Sequence, residues 1–141
     1  MTDRFKPDPK IQQVAEAYAT DAVDFVRERF EFALDWSDQS IVHIESVLGV
    51  LHETLPDVNP SEEQVFSFAK MFGSYLGEVF RRNHGAAWGL IGSGDTAIAG
   101  LKPDRSSWLC WPWGRAQKRI LNGPEDNVWH YYQALLEKQE Q

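Results

Sequence analysis

The side chains that could do chemistry in this chain are few and widely spaced. Four histidines occur, His43, His52, His84 and His130. A closed metal site needs three or four ligands that converge. His43 and His52 share one helical segment but stand nine residues apart, so they point to opposite sides. Glu45 and His52 lie on one edge of that segment, which brings together one acid and one imidazole without a third ligand. The histidines therefore read as structural or solvated, and neither a metal nor another cofactor is expected. The one cysteine, Cys110, sits in the apolar run Trp108–Trp111. A reactive thiolate needs positive surroundings and access, so Cys110 reads as a buried, inert thiol. No serine stands in a G-x-S-x-G elbow. Gly92-Ser93-Gly94-Asp95-Thr96-Ala97 has the G-x-G-x-x-A spacing of a dinucleotide turn. Lys102-Pro103 follows too soon for the crossover helix such a turn must open, so a plain hairpin turn is expected.

Charge layout is more informative. Net charge is −7, which argues against a general affinity for nucleic acid phosphates. Residues 1–80 carry 15 acids and 6 bases, and residues 81–119 carry 2 acids and 7 bases. Four of the six tryptophans also fall in that basic stretch: Trp88, Trp108, Trp111 and Trp113. Arg81, Arg82, Arg115, Lys118 and Arg119 could form an anion-recognising face with Trp113 beside it for stacking. They could equally pair inside the fold with the acidic first eighty residues. The candidate binding residues are Glu78, Arg81, Arg82, His84, Trp88, Trp113, Lys118 and Arg119. No catalytic residue is assigned.

The elements that must position these residues follow from periodicity. Asp8-Pro9 offers an N-cap and a first-turn proline. Ile11, Val14, Ala15, Tyr18, Ala22, Phe25, Val26 and Ala33 then form a helical stripe that predicts a helix ending near Leu34. Ser37 is expected to cap a second helix, with Ile41, Ile44, Val47, Leu48, Leu51 and Leu55 buried and Pro56 just beyond its end. Pro60-Ser61-Glu62-Glu63 opens a third helix that stops at Gly85. Short apolar runs, Trp88–Ile91 and Ala97–Leu101, predict a hairpin, and Trp108–Trp111 a third strand. A short helix over Pro112–Leu121 and a last helix from about Glu125 follow. The expected fold is α+β: three N-terminal helices, a small antiparallel sheet and a C-terminal helix. Residues 1–7 read as a flexible lead and residues 8–141 as one globular domain.

Two polar residues fall on apolar faces. Arg29 lies mid-stripe on the first helix and Asn83 on the third, and buried polar groups must be paired. Each is expected to tie a loop or carboxylate to the core, with the floor of a polar pocket as the alternative. Gly73 and Gly77 share one edge of the third helix, where each costs about 1 kcal/mol against alanine. A close backbone approach is the physical reason for such a pair, and Ala15, Ala19 and Ala22 of the first helix are suitable partners.

Phe72-Gly73-Ser74-Tyr75-Leu76-Gly77-Glu78-Val79-Phe80-Arg81-Arg82-Asn83-His84-Gly85, followed by Trp88, resembles a helix motif of a family of small bacterial domains with no assigned activity. Lys118-Arg119-Ile120-Leu121-Asn122-Gly123-Pro124-Glu125-Asp126 with Tyr131-Tyr132 resembles the same family's C-terminal signature, and Leu34-Asp35-Trp36-Ser37 also fits. The resemblance spans roughly residues 34–133 and brings no activity with it. By analogy of type alone, some small acidic bacterial proteins act as immunity partners of toxins. The N-terminus lacks the apolar stretch of a signal peptide. With a single cysteine and no apolar run of about 20 residues, a cytoplasmic protein without membrane contact is expected. The expected role is a non-enzymatic protein-binding module whose acidic helices meet a basic, toxin-like protein. The alternative is a small-molecule or anion-binding domain, or an enzyme, built on the basic Trp-rich segment 81–119.

Overall fold

A computed structural model describes residues 4–140 of the chain. The elements run β1 (Phe5–Pro7), α1 (Pro9–Phe30), α2 (Ile41–Val58), α3 (Glu62–His84), β2 (Ala86–Ile91), β3 (Ile98–Pro103), α4 (Pro112–Asn122) and α5 (Val128–Glu140). The architecture is α+β, but the expected arrangement is corrected in two places. A strand precedes the first helix, and the sheet is followed by two helices, from the segments read as helical over Pro112–Leu121 and from about Glu125, where the overall arrangement counted a single C-terminal helix. The sheet is antiparallel in the order β1-β2-β3, with Lys6 opposite Leu90 and Gly89 opposite Gly100. The third strand is therefore Phe5–Pro7, from the segment read as a lead, and not Trp108–Trp111. Cys110 alone pairs with β3, exchanging both backbone bonds with Leu101. Pro112, two residues on, has no N–H to extend that pairing and instead opens α4.

Capping explains where the helices start. The Asp8 side chain accepts from the Lys10 N–H, and Pro9 follows at the first helical position. Ser61 and Gln64 form a reciprocal capping box on α3, with the Ser61 hydroxyl accepting from the Gln64 backbone N–H and the Gln64 side-chain Oε1 accepting from the Ser61 N–H. Ser37 caps a single 3₁₀ turn, Asp38–Ser40, that leads into α2. The ends differ more from expectation. Helix α1 stops at Phe30 because Glu31 turns left-handed at φ 61°, which frees Leu34 to reach the core. Pro56 lies inside the last turn of α2, and the helix closes at Asn59, whose N–H bonds the Leu55 carbonyl.

Helix α3 is the spine. Every residue from Phe72 to Phe80 is buried, because α1 packs on one side of it and α4 on another, with β2 also in contact. The buried stripe of α1 is Ala15, Ala19, Ala22 and Val26, and it continues at Phe30, four residues on. Arg29 is one position off that stripe and is exposed, which corrects its expected place in the core.

Gly73 and Gly77 do mark a close approach, but not to α1. A Cβ on Gly73 would stand 2.5 Å from the Pro112 carbonyl oxygen, and one on Gly77 would run into the Trp88 ring. The small positions on α3 thus let the start of α4 and the β2 indole lie against its backbone. Gly73→Ala is expected to lower stability by about 1–3 kcal/mol through this backbone clash. Gly114→Ala, where the nearest atom is 3.8 Å away, is the control and should melt at or above the parent temperature. Equal thermal melts for Gly73→Ala and the parent would remove the contact.

Candidate functional site

Three polar networks organise the candidate residues. The first is centred on Glu78 of α3, whose side chain has no solvent exposure. Arg81 grips it through Nε at 2.7 Å and Nη2 at 3.0 Å. Arg82 Nε donates at 3.2 Å, and the Trp88 indole N–H donates from β2 at 2.9 Å. Arg81 and Arg82 reach back because positions three and four apart share one helix face. The Arg82 guanidinium also stacks over the Trp36 ring at 3.8 Å. Burial pushes the Glu78 carboxyl up, but the Arg81 and Trp88 hydrogen bonds and the two guanidinium charges outweigh it, so its pKa lies below the ordinary value.

The second network surrounds Asp38 in the turn before α2. His84 Nε2 lies 2.9 Å from its carboxylate, and Asn83 Nδ2 donates to it at 3.3 Å and to the Trp36 carbonyl at 2.9 Å. The Tyr132 hydroxyl donates to Asp38 from α5. Burial, joined by the Asp38 charge, raises the Tyr132 pKa. Beside it the Tyr75 hydroxyl accepts from the Trp36 N–H at 3.0 Å and meets the Ser40 hydroxyl at 2.7 Å. Asn83 is itself exposed, but it holds the 36–38 turn against the end of α3.

The third network joins α2 to α4. Arg119 pairs with Glu45, its Nη2 at 2.8 Å and Nε at 2.8 and 3.0 Å, and the Val128 N–H donates to the same carboxylate at 2.9 Å. Each network therefore closes a junction between elements distant in sequence or fixes a helix to the sheet.

The basic stretch thus divides. Arg81, Arg82 and Arg119 are engaged with internal carboxylates, while Lys118 is exposed and Arg115 sits over the Tyr131 ring at 4.3 Å. Arg115 also lies 3.6 Å from Asp126. Arg115 and Lys118 line a cleft of about 480 Å³ between β3 and α4. Phe66, Ile98, Trp111, Trp113 and Tyr131 supply its apolar walls, and among the described residues no carboxylate lines it. Phe66, Ile98 and Trp111 are exposed. Trp113 is held in place by its indole N–H, which donates to the buried Ser74 hydroxyl at 2.7 Å. Cys110 lies behind this region, wholly buried, and burial pushes its thiol up to about 12.

Of the candidate binding residues, Trp113 and Lys118 meet at the cleft. Glu78, Arg81, Arg82 and Trp88 meet in the first network, His84 stands in the second, and Arg119 in the third. Asp38, Tyr75, Tyr131 and Phe66 are not among the candidate binding residues, although Tyr75 and Tyr131 stand in the motifs that carry the resemblance. Asp38 looks like an ordinary first-turn acid, and the others look like core positions. Among the described residues no group of three or more His, Cys, Asp or Glu side chains converges as a metal site would require. Among the described residues no helix is long and apolar enough to cross a membrane.

No family model and no curated protein matches the chain. A crystal structure of a protein from Bacteroides thetaiotaomicron VPI-5482, at 1.50 Å resolution, has a similar fold. Its TM-score is 0.69 at 12% identity, over 96% of this chain and 48% of that one. The likeness is one of fold, and the present chain spans about half the length of that protein.

Replacing Glu78 by glutamine tests the first network. Glu78→Gln should cost roughly 3 kcal/mol at neutral pH, the low end for a broken buried pair because both guanidinium groups can still reach water. Because the folded pKa is depressed, ionised Glu78 contributes fully above its ordinary value of 4.5, and that contribution is lost as pH falls below it. Melts of parent and variant should therefore converge between pH 7 and strongly acid pH. A gap unchanged by acid would show that the Glu78 charge does not hold α3 to β2.

Proposed function

We propose that this protein is a binding module whose contact surface is the cleft between β3 and α4, and that the cleft takes an anion with an apolar body. The observation that carries this reading is the composition of the cleft: aromatic walls, two cations and, among the described residues, no carboxylate in its lining. Monomeric proteins seldom leave several large apolar side chains exposed together unless something binds there. Phe66, Ile98 and Trp111 are three such side chains. The volume lies within the usual range of ligand pockets, about 300–1,000 Å³. The buried Glu78 and the half-buried Glu45 carboxylates are each held by several donors, which suits them to holding the frame rather than moving protons.

A second reading keeps a specific observation of its own. Asp21, Glu28 and Glu31 are exposed along α1 and its end, and a basic protein of toxin type could be steered to them. The two surfaces are separable by charge reversal. Titration of anilinonaphthalene sulfonate, an apolar anion, is the measurement for the cleft. Lys118→Glu and Trp111→Ala should each weaken dye binding about tenfold, as loss of a charged contact or of a stacking wall implies. Asp21→Lys should leave it unchanged. Dye binding that ignores Lys118→Glu and Trp111→Ala, or that fails in the parent, contradicts the cleft reading.

A further inference from the structure

The outer edge of the sheet is open where it borders the cleft. In the β2–β3 ladder, residues of β3 alternate between facing β2 and facing outward. Leu101 faces outward, since its N–H and carbonyl exchange bonds of 2.8 and 3.0 Å with Cys110. Two residues earlier, Ala99 must present its N–H and carbonyl on the same outer side. In the antiparallel register set by Leu101 and Cys110, the residue opposite Ala99 would be Pro112. Pro112 has no N–H and is the first residue of α4, so pairing ends there. Among the described residues no backbone partner meets the Ala99 N–H or carbonyl. Ala99 lines the cleft, flanked by Ile98 and by the Trp111 side of α4.

We propose that the occupant of the cleft is a segment of another protein, extended and acidic, which adds to β3 at Ala99 as a short outer strand. This rests on the reading of the cleft as the binding surface. An extended segment would bond Ala99 through its own main chain, which an apolar small molecule does not need. Its alternate side chains would be directed to the aromatic walls. Charge selects the rest: with Arg115 and Lys118 on the lining and no carboxylate there among the described residues, an acidic segment is attracted and a basic one repelled. Arg115 is already oriented by the Tyr131 ring and Asp126, so little freedom is lost when it engages a carboxylate. The open stretch is short: the Ala97 N–H already donates to the Gly94 carbonyl on one side of Ala99, and Cys110 closes the edge at Leu101 on the other.

The test is selection of displayed random peptides, about six residues long as short strands are, on the immobilised protein. The retained pool should be enriched in aspartate and glutamate alternating with apolar residues. Its members should bind Ala99→Pro at least tenfold more weakly, since proline removes the donor while an outward edge position tolerates it. They should lose binding to the parent to the same extent when their own backbone is N-methylated at alternate residues, a control that does not depend on the variant folding. No retained pool, a pool without acidic enrichment, or a pool indifferent to N-methylation overturns strand addition. If the dye still binds the parent and Ala99→Pro equally, the cleft reading survives that failure. If the dye binds neither, both fall.

Discussion

A carboxylate with no solvent contact cannot be tolerated in a protein interior unless its charge is met, and Glu78 is met from two elements at once. Its oxygens hold Arg81 and Arg82 on its own helix and the Trp88 indole on β2. The ion pair alone would be weak evidence for stability, because burying both charges costs as much as their attraction returns. What it does here is geometric. Trp88 can reach Glu78 only with its ring pressed against the α3 backbone, and the absent side chain at Gly77 permits that. Gly73 does the same for the start of α4. The sheet and α4 are therefore seated on a single helix, and the cleft lies beside that junction.

The division of charge follows from this. A basic stretch with tryptophans between its cations looks, in one dimension, like one surface. In three dimensions most of the arginines face inward to carboxylates contributed by the acidic part of the chain, Glu78 and Glu45. Of the two alternatives open at the level of sequence, internal pairing is thus realised by Arg81, Arg82 and Arg119. Arg115 and Lys118 remain beside Trp111 and Trp113, and an aromatic wall with two cations survives from the longer basic run.

Much of the frame was legible because it rests on local chemistry. Asp8-Pro9, the Ser61 cap and Gly85 each announce a helix boundary by an interaction within a few residues. The hairpin around Gly92 was legible for the same reason. What was hidden depends on long-range pairing. Three residues ending in proline carry no strand signal, yet Phe5–Pro7 pair with β2 because that edge is free. Trp108–Trp111 carries a strong apolar signal and forms a single bridge, because Pro112 must start α4. Arg29 was misplaced because periodicity alone cannot tell a stripe that continues at i+3 from one that continues at i+4. At the cleft, Trp113 and Lys118 were visible as types, whereas Phe66 and Tyr131 join them only through the packing of α3 and α5.

The central claim is that ligand meets the cleft and not the arginines that hold Glu78. Nitrogen-15 NMR of the folded protein, titrated with anilinonaphthalene sulfonate, reads this directly, because tryptophan indole and arginine Nε–H signals report separately. Shifts are expected at the Trp111 indole and at the Lys118 and Ala99 amides, with the Arg81 and Arg82 Nε–H signals unmoved. Shifts concentrated at Arg81 and Arg82, with the cleft signals still, would contradict it.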